Sequence, residues 1–181
     1  TSPHPLATQA GCVVPARGGT AIEAALAMAA MLSVVCPHFS GLGGDAFWLM
    51  AEPDAPVRAL SGIGHAVRHC PALSGPIAAR GAASTLTSAA AVDSWGQAHE
   101  ISAQHWQGRF GWDALLAPAI AQAEAGVAVS EAQRLWLRMR AGELGQWPGF
   151  VGTFPPAATH WQLPALARTL ARLAPPGAGR V

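Results

Sequence analysis

The chain has 181 residues, of which 51% are apolar and only 12% charged, with a formal net charge of +1. A balance this near neutral gives no electrostatic footing for nucleic acid or an anionic membrane. The charge content, against the usual ~25%, leaves more surface than normal for a partner to cover.

Residues His4 to Arg17 read as a first helix closed by Gly18-Gly19, with Pro15 expected to fray or kink its last turn. Thr20-Ala21-Ile22-Glu23 is a capping box. The helix that follows, to about Val35, is apolar nearly all round, so it is predicted to be buried on most faces and stopped by Pro37. Phe47 to Ala51 and Val57 to Leu60 read as two strands of a hairpin joined across Glu52 to Pro56. Irregular chain follows through Ser88. A third helix, about Ala90 to Trp106, is separated by Gly108 to Gly111 from a fourth, Trp112 to Ala125, which Gly126 ends. Ser130 and Gln133 form a second capping box for a helix to about Met139. A Gly/Pro-rich loop from Gly142 to Pro156 leads to an Arg-studded helix, Leu163 to Leu173, and the tail from Pro175 suits packed structure poorly. The chain is read as one domain over 1–181, helix-rich across 90–173. Two strands cannot form an independent sheet under so many helices, so the α/β (α+β) fold is predicted to be completed by a second chain.

Cys12, Cys36 and Cys70 are odd in number and lack metal-type CxxC spacing. They read as reduced thiols of a cytoplasmic protein, with the periplasm as the alternative if a leader has been removed. The longest apolar stretch, Ala24 to Cys36, is too short to span a bilayer.

Gly41, Gly43 and Gly44 pose the question of a phosphate loop. A dinucleotide fingerprint needs a strand before the glycines and a helix after, and here a helix precedes and a strand follows. The glycines are therefore read as places of close backbone approach. Phe47 to Met50 is read as a strand apolar on both faces, as at the centre of a covered sheet. Asp45, at its edge, is read as a turn or cap residue. His65, His69 and Cys70 are the sole metal-like cluster, but with Pro71 next no helix is expected to align them, so no metal and no other cofactor is predicted.

Several blocks together carry a resemblance: His4-Pro5-Leu6-Ala7-x-Gln9-Ala10-Gly11, Gly18-Gly19-x-Ala21-x-Glu23-Ala24, and Pro37-His38-x-Ser40-Gly41-Leu42-Gly43-Gly44. Ala91-Val92-Asp93-x-Trp95, Gly108-Arg109-Phe110-x-Trp112, Gly126-x-x-Val129-Ser130 and Leu166-Ala167-x-Thr169-Leu170 continue it. From about Pro3 to Leu173 the chain resembles the large subunit of the gamma-glutamyltranspeptidase family. The spelling Gly44-Asp45-Ala46-Phe47-Trp48-Leu49 leans toward the oxamate-amidohydrolase-like branch.

The resemblance implies an N-terminal-nucleophile hydrolase of αββα architecture, made as a proenzyme that cuts itself into two subunits. A Thr at the new N-terminus of the small subunit is the implied nucleophile, activated by its own α-amine, with a small-molecule amide as substrate. A dimer of such heterodimers is a further assembly that the resemblance allows. Thr1 is not read as that nucleophile, because it runs into a helix rather than a strand, so no catalytic residue is expected in this chain. The transpeptidase Arg that takes the glutamyl carboxylate falls on Ile63 here. In the amidohydrolase-like pattern the corresponding position is His65, and Arg68 lies close by, making His65 and Arg68 the candidate substrate-binding residues. The alternative is a non-catalytic or degenerate structural subunit, for which the missing Arg and the short chain speak.

Overall fold

The elements run α1 (Pro5–Ala16), α2 (Ala21–Val35), β1 (Ala46–Met50), β2 (Arg58–Gly62), α3 (Ala91–His105), α4 (Trp112–Ala125), β3 (Val127–Ala128), α5 (Glu131–Met139), α6 (Ala141–Leu144), α7 (Phe150–Thr153), β4 (His160–Trp161) and α8 (Pro164–Leu173). The computed structural model describes residues 1–66, 68, 75–81, 84, 87–147 and 149–174. Two compact units result, Thr1–Gly41 with His99–Val181, and Leu42–Ala98.

The first unit is helical. His4 caps α1 by accepting the Leu6 N–H on Nδ1 at 3.2 Å, and Pro5 at the first turn lacks only an N–H that would be unbonded anyway. Pro15 sits inside α1 without breaking it, since Arg17 and Gly18 close the last turn on the carbonyls of Val14 and Pro15. The capping box of α2 is present in full. Thr20 Oγ1 accepts from Glu23 N at 3.1 Å, and Glu23 Oε2 accepts from Thr20 N at 2.7 Å. Ile22, Leu26, Ala27, Ala30, Met31, Val34 and Val35 are all buried along α2, as its continuous apolar character requires. Helix α1 packs on α2, α2 on α4, and α4 on α8. Gly126, at φ 100°, ends α4 in the left-handed region that glycine occupies without strain.

Beyond α4 the chain departs from the predicted loop. Ser130 and Gln133 cap α5 as expected, but 142–156 contains most of α6 and all of α7. An Arg140–Glu143 pair at 3.2 Å accompanies α6, and the Phe154 ring stacks edge-on to Trp161 at 5.0 Å. Strands β3 and β4 form a two-residue antiparallel pair, Val127 opposite Trp161.

The second unit is a hairpin against a helix. Strands β1 and β2 are antiparallel, with Ala46 opposite Gly62 and Met50 opposite Arg58. Trp48 Nε1 donates to Ser94 Oγ at 3.1 Å, and Ser94 Oγ donates to Ala91 O at 2.6 Å, fixing the indole to the first turn of α3. The expectation that β1 is buried on both faces is corrected within this chain. Met50 is buried, but Phe47 is 69% and Leu49 81% exposed. Alternate strand residues point to opposite faces, and Phe47 and Leu49 share the open one.

Candidate functional site

The end of the hairpin at which β1 begins and β2 stops carries the candidate binding residues. Asp45 precedes β1, and its Oδ1 accepts the Gly64 N–H at 3.0 Å, tying the glycine turn to the segment that leaves β2. The carbonyl of His65 then accepts Ser88 N at 3.0 Å, and Ser88 Oγ at 3.4 Å. Ala66 and Thr87 form an isolated antiparallel bridge. The backbone of this segment is thus held on both sides, by Asp45 and by Ser88.

Gly62 and Gly64 permit that arrangement by their missing side chains. A Cβ on Gly62 would fall on the Ser94 side chain, and one on Gly64 would fall on the Ser88 carbonyl. On the other side, Gly44 O accepts Ala90 N at 3.2 Å and Ala91 N at 2.9 Å, the start of α3. Asp45 is the turn-fixing residue the sequence suggests. The order α2, glycine turn, β1 is also as read, the reverse of the strand-glycines-helix order of a dinucleotide loop.

The side chains of His65 and Arg68 are exposed and have no hydrogen-bond or ion-pair partner among the described residues. Both are cationic or cationisable donors free to meet an anion, and an Arg fork matches a carboxylate's two oxygens. Ile63, 51% exposed, contributes only apolar surface. His65 and Arg68 are the residues the sequence puts forward; Ser88, whose hydrogen bond reaches a partner 23 residues away, it does not. His69 and Cys70 lie outside the described residues. Among the described residues no group of three or more His, Cys, Asp or Glu is placed to hold a metal ion. Thr1 is exposed and precedes α1, so helix rather than strand follows it.

A second group of reactive side chains lies in the helical unit, after α2. Cys36 Sγ is 4.0 Å from His38 Nε2. Burial pushes the Cys36 thiol up and the His38 imidazole down from their ordinary pKa values. His38 Nδ1 is buried with no partner among the described residues. Both shifts favour the neutral forms, thiol and imidazole, rather than a reactive ion pair.

Comparison with known proteins places this α+β arrangement among the N-terminal-nucleophile hydrolases. The structure superposes on Helicobacter pylori gamma-glutamyltranspeptidase with a TM-score of 0.83 at 23% identity, over 96% of this chain and 53% of that one. It superposes on a cephalosporin acylase from Bacillus halodurans with a TM-score of 0.80 at 27% identity, over 94% of this chain and 34% of that one. The model of the gamma-glutamyltranspeptidase family matches residues 7–181, and the chain belongs to that family. It is 37% identical, over 97% of its length, to the oxamate amidohydrolase proenzyme of Klebsiella pneumoniae subsp. pneumoniae. It is 41% identical, over 52% of its length, to the glutathione hydrolase-like YwrD proenzyme of Bacillus subtilis. It spans 35% of the first of these relatives and the match covers 19% of the second. No helix among the described residues is long and apolar enough to cross a membrane.

Proposed function

We propose that this chain is a large-subunit portion, and a single structural domain, of an autoprocessed heterodimeric amidohydrolase that cleaves the amide of a small carboxylate. The observation that carries the reading is the 37% identity to an oxamate amidohydrolase proenzyme across 97% of the chain. In this reading the nucleophile is the N-terminal Thr of a small subunit. Its hydroxyl attacks the amide carbonyl while its own α-amine takes the proton. That proton passes to the leaving nitrogen as the C–N bond breaks. Water then hydrolyses the acyl ester to release the acid and restore the Thr hydroxyl. This chain contributes no catalytic residue. Its part is one wall of the substrate pocket, where His65 and Arg68 receive the carboxylate.

The position of Ile63 favours a carboxylate amide other than γ-glutamyl, because the transpeptidase-type guanidinium is missing there. The same observation supports a second reading, a structural subunit without catalysis. Denaturing electrophoresis and N-terminal sequencing of the purified full-length protein separate the two. The amidohydrolase reading expects a companion chain beginning with Thr, together with hydrolysis of oxamate, a glutaryl amide or a γ-glutamyl anilide. Absence of that chain would sink it. His65→Ala and Arg68→Ala should each raise KM with little change in kcat, and an unchanged KM would remove either residue from carboxylate binding.

A further inference from the structure

Helix α5 leaves apolar surface uncovered. Gln133 and Leu137 are buried, whereas Leu135 is 48% and Met139 65% exposed, one turn apart on the opposite side of the helix. Trp136 lies beside them, and the Phe39 ring meets it edge-on at 5.9 Å. Phe39 is itself 69% exposed. Its ring rests against His38 at 4.5 Å, and Trp136 carries the Arg140 guanidinium at 5.6 Å. Side chains from two distant stretches of sequence thus join in one patch, and a contiguous apolar patch marks an interaction surface.

Charges border the patch along one flank. Glu131 and Arg138 lie two turns apart on that flank, about 10 Å along the axis, too far to pair with each other. Glu131 binds Arg134 at 2.7 Å, which leaves the Glu131 side chain 81% exposed. The Arg138 side chain is exposed and has no hydrogen-bond or ion-pair partner among the described residues.

We infer that this face binds the same face of a second copy of the chain, α5 against α5 in antiparallel order about a two-fold axis beside Leu135. An isologous contact sets residues equally far before and after its centre against one another. Glu131 of one copy then comes beside Arg138 and Met139 of the other, and the same pair recurs across the axis. Parallel order would instead face Glu131 with Glu131 and Arg138 with Arg138, which repel. The patch therefore complements itself in the antiparallel order alone. Leu135 and the adaptable Met139 fill the centre. Phe39 and Trp136 close the other flank as aromatic anchors. This inference concerns assembly and stands apart from the proposed amidohydrolase reading.

Analytical ultracentrifugation of the full-length, processed protein over a range of concentrations tests it. The parent should form a reversible particle holding two copies of this chain, each with any companion chain it carries. Met139→Glu, at an exposed position, should weaken self-association about tenfold or more, with the circular dichroism of the parent retained. Arg138→Glu should weaken it comparably, because it sets two carboxylates together. Glu131→Arg combined with Arg138→Glu exchanges the pair and should bring affinity back to within about fivefold of the parent. Arg168→Glu, an equal charge change at an exposed position on α8, should leave self-association as it was.

A single-copy particle at every concentration would overturn the inference, as would self-association untouched by Met139→Glu. So would an exchanged pair that binds no tighter than Arg138→Glu, or a loss from Arg168→Glu equal to that from Arg138→Glu. Release of the companion chain by Met139→Glu would also overturn it, because the face would then belong to that chain. Should Met139→Glu fail to fold, Arg138→Glu and the exchanged pair decide the matter.

Discussion

Glu23 Oε1 accepts the backbone N–H of Phe110 at 2.7 Å, joining the start of α2 to the turn between α3 and α4 across 87 residues of sequence. The same oxygen accepts Arg109 N at 2.7 Å, and Oε2 accepts Thr20 N. A carboxylate has acceptor sites on both oxygens and no proton to place, so it can serve donors on two sides at once. The side chain is fully buried, and Thr20 Oγ1 is 2.6 Å from Ser102 Oγ in the same cluster.

Glu23→Gln therefore sets an NH2 group against either Thr20 N–H or the Arg109 and Phe110 pair. We expect a loss of about 1–3 kcal/mol. Glu23→Ala strands all three N–H groups and should cost about 3–5 kcal/mol. Urea unfolding of the parent and both variants measures this, and losses under about 0.5 kcal/mol would show that the turn finds other acceptors.

Gln133 performs a related task at α5. Its Oε1 accepts Ser130 N at 2.6 Å, and its Nε2 donates to Val35 O at 3.2 Å, at the end of α2. Gln133→Glu keeps the cap but turns an acceptor toward the Val35 carbonyl. The variant should lose about 1–3 kcal/mol near neutral pH and recover part of it in acid, where the protonated carboxyl can donate again. Thermal unfolding at pH 7 and pH 5 gives the comparison, and a loss that grew in acid would contradict the assigned bond.

Stability should also fall as the pH drops through the histidine range. Burial lowers the pKa of both His38 and His4 from the ordinary 6.5. The unfolded chain therefore takes up these protons first as pH falls below 6.5, which draws the equilibrium toward unfolding. The contribution is complete above that value and diminishes toward the lower folded-state pKa. His38→Gln should flatten the curve of Tm against pH between 7 and 5, and an equally steep curve would assign the dependence to other groups.

The described thiols should separate by reactivity. Cys12 is exposed on α1, and Cys36 is buried with its pKa raised by desolvation. The thiolate is the nucleophile, so alkylation near neutral pH followed by peptide mapping should label Cys12 well before Cys36. Equal rates would mean that the end of α2 opens readily.

What could be read from the sequence was local. The Thr20–Glu23 and Ser130–Gln133 boxes were legible because both partners sit three residues apart, and Gly126 marked the end of α4. The other halves of the same side chains were hidden, since Arg109, Phe110 and Val35 are brought to them only by packing. Phe47 to Met50 announced a strand, but the alternation of exposure along β1 depends on what covers each face, which no single strand encodes. Helices α6 and α7 span four residues each, too few for a periodic signal in a glycine-rich stretch. At the candidate site, His65 and Arg68 stood out as polar side chains after β2 and Asp45 as a turn residue beside β1, whereas Ser88, the other anchor of that backbone, carries no sequence mark of the role.

The open face of the hairpin has a consequence for how the polypeptide behaves in solution. A ribbon whose edges find no further strand among the described residues, with surface Phe47 and Leu49, is a template for adding strands, whichever chain supplies them. Expressed by itself, this segment should accumulate in aggregates, and Phe47→Thr with Leu49→Thr should keep more of it in the supernatant after centrifugation. Synthesis as one length of a longer precursor would shorten the interval during which that ribbon meets strangers.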